Sequence, residues 1–225
     1  MRIRLDHLLL GVPDLEAGVD WLQAATGVRA AGAGTWDDEA VGLAFASLSG
    51  RAYLAVVGPD GSAAPSGSLG ARLGAPAGPR LIGWAGAVDA GALDGLAGQA
   101  RAAGLAAVVG ETARRRPDGR TVVSRHLTLE GAAIGGLAAG RGGADGRAGS
   151  GAAHLPVFVE AGRGAHPSID APGGLRLRSF SVADPAPDGL RKLLEGLGVE
   201  VEVVEGAPGL AAVLSSPTGE ITLGS

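Results

Sequence analysis

A local pattern repeated three times constrains the fold of this chain more than any other feature. Each copy opens on an apolar run, passes an aspartate, continues through a helical stretch, and ends on a glycine followed by extended chain. The first copy runs from Ile3 through Leu5-Asp6-His7 to Asp14 and closes on Thr26-Gly27-Val28. The second opens at Leu81, passes Asp89 and closes on Ala103-Gly104-Leu105; the third opens at Leu175, passes Asp184 and closes on Leu197-Gly198-Val199. Asp14 and Asp89 stand where a carboxylate takes up the free N–H groups of a helix start. In the third copy either Asp184 or Asp188 can do so. Helical spacing follows in Leu15, Val19 and Leu22, in Leu93, Leu96 and Ala100, and in Leu190, Leu193, Leu194 and Leu197. Gly27, Gly104 and Gly198 then supply the left-handed residue on which helices end at little cost. Extended segments are expected at 41–48 and 52–57, at 106–109, 121–129 and 155–160, and at 199–204, 210–215 and 221–223. Each copy therefore reads βαβββ.

The resulting organisation is a first module over 1–58, a connector at 59–80 and a second module over 81–161 that carries a flexible loop at 140–151. A connector at 162–174 and a third module at 175–225 complete it. Both connectors are rich in Gly, Pro, Ala and Ser. An odd module leaves a sheet face uncovered. The third is expected to pack on the first two or on a second subunit, and a homodimer is one way to cover it. With 41 glycines and 3% aromatic residues, the core has to be built from Leu, Val and Ala.

Composition removes several classes of function. Without cysteine there is no disulfide framework, thiolate metal site or cysteine nucleophile. A formal charge of −4 offers no basic face for nucleic acid. The longest uncharged stretch, 206–219, is too short to span a bilayer, and the opening residues lack a secretory signal, so a cytoplasmic location is expected. No Gly-x-Gly-x-x-Gly, Gly-x-Ser-x-Gly or His-Glu-x-x-His occurs, and the single lysine, Lys192, has no phosphate-loop context.

Three βαβββ units, the first opening on Leu5-Asp6-His7, resemble the glyoxalase-like branch of the vicinal oxygen chelate superfamily, the glyoxalase, bleomycin-resistance and dioxygenase proteins. The likeness is most specific from Leu5 to Gly18. It continues in Gly34-Thr35, in Arg51-Ala52-Tyr53-Leu54, in Arg116-Pro117-Asp118-Gly119, from Leu155 to Glu160, and in Ala165-His166-Pro167-Ser168. The resemblance implies an α+β fold in which paired modules form curved half-barrel sheets around a pocket. Many members hold a divalent metal there through His or Glu, with two substrate oxygens on the open positions.

Set against that pattern, His7 matches the first-strand ligand, but its partner carboxylate falls on Ala55 in Tyr53-Leu54-Ala55. The matching first-strand positions elsewhere are Trp84 and Arg178, or Ile82 and Leu177, and none of these is a plausible ligand. Glu160 and Glu220 are the nearby last-strand carboxylates. The implied metal set, His7 with Glu160, is incomplete; no cofactor is expected, and a tightly bound divalent ion is disfavoured. The family's Gly-Thr-His reads Gly34-Thr35-Trp36 here. The candidate site therefore has His7 as a hydrogen-bonding or acid–base group. Trp36, Tyr53 and Trp84 serve as apolar walls, and Arg51 holds a substrate carboxylate. His126 reads as an alternating strand position, His154 and His166 as loop-side surface residues, and Arg114-Arg115-Arg116 as a solvated hairpin end rather than an anion clamp. The expected protein has a small-molecule pocket. It is a lyase, isomerase or dioxygenase-like enzyme, a metal-free binding protein of the resistance type, or a chiefly structural relative.

Overall fold

Leu8, Leu9 and Leu10 are all fully buried although successive strand residues point to opposite faces, so the first strand must have a packed layer on each side. The computed structural model, which describes residues 2–66, 68–73, 78–129, 155–160 and 166–225, shows both layers. The expected loop at 140–151 and His154 lie outside the described residues.

The first unit comprises β1 (Arg4–Gly11), α1 (Leu15–Thr26), β2 (Ala31–Trp36), β3 (Val41–Ser47) and β4 (Tyr53–Pro59). After the short α2 (Leu69–Leu73), the unit recurs as β5 (Arg80–Val88), α3 (Leu93–Ala102), β6 (Ala107–Arg115), β7 (Thr121–Leu129) and β8 (Val157–Glu160). Their strands are ordered β1-β4-β3-β2 and β5-β8-β7-β6, with β4 and β8 parallel to the strand that opens each unit. Antiparallel pairing of β1 with β5, and of Thr35 in β2 with Arg115 in β6, closes the two halves into an eight-stranded barrel. The α+β architecture of paired βαβββ units is the one expected.

One strand, β2, has no counterpart among the expected segments. Ala31-Gly32-Ala33-Gly34 contains no β-branched residue, and β3 and β6 on either side supply its ladder partners. The third unit follows the short α4 (Pro167–Asp170) as β9 (Arg176–Asp184), α5 (Pro187–Gly196), β10 (Glu202–Glu205), β11 (Gly209–Ser216) and β12 (Gly219–Gly224). Its elements come in βαβββ order, but its sheet runs β10-β9-β11-β12, so the opening strand is interior and pairs in parallel with the strand after its helix. It is not a third copy of the half-barrel.

The caps also differ among the units. Asp14 accepts a hydrogen bond from Ala17 N at 2.8 Å and starts α1 as expected. Asp89 does not cap α3, which begins at Ala92 without a side-chain cap. In α5 the start is set by Pro187, whose fixed φ suits the first turn, while Asp184 accepts from Ala186 N at 2.7 Å just before it. Gly27, Gly104 and Gly198 all take φ between 73° and 85°, the left-handed ends expected.

Inside the barrel, Leu9, Val41, Leu43, Ala55, Val57 and Val157 form an aliphatic core. Outside it, Leu8, Leu10 and Trp84 pack with α1, α3 and the third sheet in a second and larger core. Trp84 meets Phe180 edge to face at 5.2 Å between ring centroids. The third unit therefore covers the outer face of this chain's own β5. It is also tied to the barrel by backbone bonds from Ile3 N to Gly198 O and from Leu177 N to Leu48 O. Among the described residues, no helix is long and apolar enough to cross a membrane.

Candidate functional site

Asp6 and His7 are adjacent in β1 and would ordinarily face opposite sides of the sheet. Here the strand bulges: Leu5 pairs with Gly86 and His7 with Ala85, leaving Asp6 as the extra residue. The bulge sets the two side chains beside each other, with His7 Nδ1 2.6 Å from Asp6 Oδ1. The other carboxylate oxygen of Asp6 lies 3.0 Å from His166 Nε2. His166 arrives from the segment leading into α4, where its Nδ1 accepts a hydrogen bond from Ser168 N and lies 2.8 Å from Ser168 Oγ. One buried carboxylate thus bridges a histidine of the barrel and a histidine of the strap that crosses its end.

Electrostatics fix the state of this bridge. Burial pushes the Asp6 carboxyl up, but the hydrogen bonds of His166 and His7 and the charges of both imidazoles outweigh it and hold the pKa at about 2. Asp6 is therefore ionised and acts only as an acceptor. Whenever His7 gives up one proton, the Asp6 carboxylate retains the other on Nδ1 and leaves the lone pair on Nε2, the tautomer a general base needs. His166, accepting at Nδ1, donates from Nε2. Tyr53 pairs with His7 across β1 and β4 and stacks on its ring at 4.8 Å; Phe45 and His166 flank it at 4.8 and 5.5 Å. Burial raises the Tyr53 phenol well above its ordinary pKa, the Asp6 charge raises it further, and Arg114 opposes both. The phenol remains neutral.

Beside this aromatic stack lies a cavity of about 220 Å³. Its walls are Ala31 to Ala33 of β2, Phe45 of β3, Arg114 and Arg116 at the end of β6, and Pro167 and Ala171 of the strap. The strap is pinned at one end by the contact of His166 with Asp6 and at the other by the hydrogen bond from Ser47 N to Pro172 O, 2.8 Å.

His7 and Tyr53 are thus brought together as the sequence suggested, while the other predicted residues lie apart from them. Trp84 is 2% exposed and faces outward beneath Phe180, because a bulge in the β1–β5 pairing separates it from the inward Ile82. Trp36 is half-buried at the end of β2 and packs against the inner core. Arg51 is exposed in the turn between β3 and β4. Glu160 accepts a hydrogen bond from Gly91 N and pairs with Arg125 at 3.1 Å, which commits both of its oxygens on the second unit. His126 is 6% exposed, with Nδ1 3.2 Å from Thr112 Oγ1 and its pKa lowered by burial. Asp6 and Phe45 are not among the residues singled out from the sequence, which reads His166 as a surface residue and Arg114 and Arg116 as a solvated hairpin end; the structure sets all five at the bridge or at the cavity beside it.

The metal expected of such a barrel can be tested against these donors. Leu9 pairs with Ala55 where the carboxylate would stand, and the surrounding inward residues are Val57, Val157 and Val159. Among the described residues, no group of three His, Asp or Glu side chains is arranged to hold an ion. Among the described residues, the inward barrel positions therefore do not supply the three or four protein ligands that a zinc-type site takes.

The sequence profile of a family described as glyoxalase-like domain matches residues 5–198. A solved structure described as a hypothetical protein from Staphylococcus aureus aligns over 100% of this chain and 85% of its own, with a TM-score of 0.59 and 8% identity. Methylmalonyl-CoA epimerase from Mycobacterium tuberculosis aligns over 70% of this chain and 87% of its own, with a TM-score of 0.46 and 23% identity. The Streptomyces coelicolor epimerase in complex with 2-nitronate-propionyl-CoA aligns over 72% and 99%, with a TM-score of 0.46 and 22% identity. No curated protein matches the sequence. The staphylococcal likeness concerns the fold alone.

Proposed function

We propose, from the premise that the chain belongs to the glyoxalase-like domain family of the vicinal oxygen chelate superfamily, that it binds a small molecule without a metal. The cavity bounded by β2, β3, the end of β6 and the strap is the binding site. One observation carries this reading: the barrel interior, where the fold family places its metal, is lined by Leu9, Ala55, Val57 and Val157, while the polar groups lie at the barrel's end. A cavity of about 220 Å³ is below the usual range of roughly 300–1,000 Å³ for drug-sized ligands, so the ligand is small.

A second reading, a metal-free enzyme, is favoured by the Asp6–His7 contact. In it Asp6 orients the ring, and His7 Nε2 takes or returns a proton; Asp6 itself stays ionised throughout. Both readings predict ligand binding that is indifferent to chelators. The test is calorimetric titration of the full chain with a panel of small organic acids and amides, before and after dialysis against EDTA. Unchanged affinity after dialysis is expected. Binding lost on dialysis and restored by about one equivalent of Zn, Mn, Fe or Ni would overturn the proposal.

A further inference from the structure

We infer that the cavity selects a small organic carboxylate with a flat apolar body, and that Arg116 and Arg114 are the residues that select it. The inference rests on the reading that this cavity binds a small molecule.

Strand alternation divides the basic run of β6 between two environments. Arg115 turns outward to Asp37, with Nε 3.0 Å and Nη2 3.1 Å from its carboxylate oxygens. Arg114 and Arg116 point the other way, into the cavity wall. Arg114 donates to Ala33 O and holds its guanidinium carbon 5.2 Å from the Phe45 ring centroid. Among the described residues no carboxylate lies within salt-bridge distance of it. Arg116 Nε is buried and has no hydrogen-bond partner. Its nearest acid, Asp118, lies 3.5 Å away, and that carboxylate is already committed to Arg120 Nε and Nη2 at 3.0 and 2.6 Å and to Arg120 N at 3.1 Å. Asp170 is the other acid at the cavity and is exposed at its rim.

Two guanidinium groups with unspent donors therefore share one small cavity. Such groups repel each other and are stabilised by an anion between them. Their planar forks match the two oxygens of a carboxylate better than a spherical ion. The remaining walls, Ala33, Phe45, Pro167 and Ala171, are apolar, and Phe45 is an aromatic wall against which a flat body can pack. Inorganic phosphate would use the arginines and leave this surface wet. A carboxylate carried on an aromatic or alicyclic ring uses both.

The experiment titrates the full chain with benzoate, cyclohexanecarboxylate, benzamide and inorganic phosphate, by calorimetry and by shift in melting temperature. Benzoate is expected to bind saturably and at least about tenfold more tightly than benzamide or phosphate, the worth of a charge-assisted hydrogen bond. Arg116→Gln is expected to lower benzoate affinity about tenfold and to leave benzamide binding unchanged. Arg115→Gln, which removes the same charge from the outward face, is expected to change neither. Circular dichroism of each variant checks that it remains folded. Benzamide binding as tightly as benzoate, or the two variants losing benzoate equally, would overturn the anion selectivity while leaving the cavity a binding site. Failure of all four probes to bind would overturn both.

Discussion

Replacing Asp6 with Asn keeps the shape of the side chain and removes its charge, which isolates what the buried bridge contributes. The folded carboxyl has a pKa of about 2 against an ordinary 3.8. That difference corresponds to roughly 2 kcal/mol of stability at neutral pH. The sign follows from the depression: the contribution is fully present above the unfolded pKa and is lost as pH falls through the folded one. Asn offers one acceptor where Asp6 offers two, so one of its two histidine contacts meets an amide donor instead of an oxygen. The expected cost at pH 7 is therefore about 2–3 kcal/mol, which for a chain of this size lowers the melting temperature by roughly 5–10 °C. Urea unfolding of wild type and Asp6→Asn at pH 7 and pH 3 reads it. The linkage predicts that the gap between the proteins shrinks to about half at pH 3. An equal gap at both pH values would mean that Asp6 contributes packing and not charge. No gap at either would remove the bridge from the account of what pins the strap.

Gly34→Ala is expected to open the barrel seam. Gly34 has φ of 106°, and a Cβ there would stand 1.8 Å from Arg115 O, so strain and clash together cost more than about 3 kcal/mol. A drop in the urea midpoint, with benzoate binding lost because the end of β6 moves, is the readout; a stable variant with intact binding would contradict the closure through β2 and β6. Trp84→Ala should destabilise by about 3–5 kcal/mol through the outer core, yet leave the affinity of the folded protein for benzoate unchanged. A loss of affinity without loss of stability would return Trp84 to the pocket.

The parts of the fold that could be read from the sequence are those encoded locally. Aspartate, helical spacing and terminal glycine lie within one turn or one helix of each other, and the glycines at 27, 104 and 198 do end helices in the left-handed conformation. Strand order is a different kind of property. The first and third units share the order βαβββ, yet β1 is flanked by β4 and β5, whereas β9 is flanked by β10 and β11. The strand after α1 is captured far away by β3 and β6, and the strand after α5 returns to its own opening strand. No local pattern in either segment distinguishes these outcomes, because the available partners are set by the rest of the chain. β2 shows the same dependence in reverse: a poor strand sequence is extended because two neighbours need its backbone.

The site divides along the same line. His7 was legible because its strand and its block are local; Asp6 was hidden because alternation assigns it to the other face, and only the pairing register with β5 reveals the bulge that brings it back. The basic run before Pro117-Asp118-Gly119 is instructive in a different way. Its reading as a solvated hairpin end holds for Arg115 and Arg120, which are exposed and paired with Asp37 and Asp118. It fails for Arg114 and Arg116, whose face is roofed by Pro167 and Ala171 about fifty residues further on. Alternation alone separates the two pairs but cannot say which face is covered. The cover comes from the strap, and the strap is held where it is by His166 on Asp6 and by Pro172 on Ser47. The buried bridge and the arginine cavity are therefore one device: the carboxylate that orients His7 also fixes the segment without which Arg114 and Arg116 would be two more solvated charges.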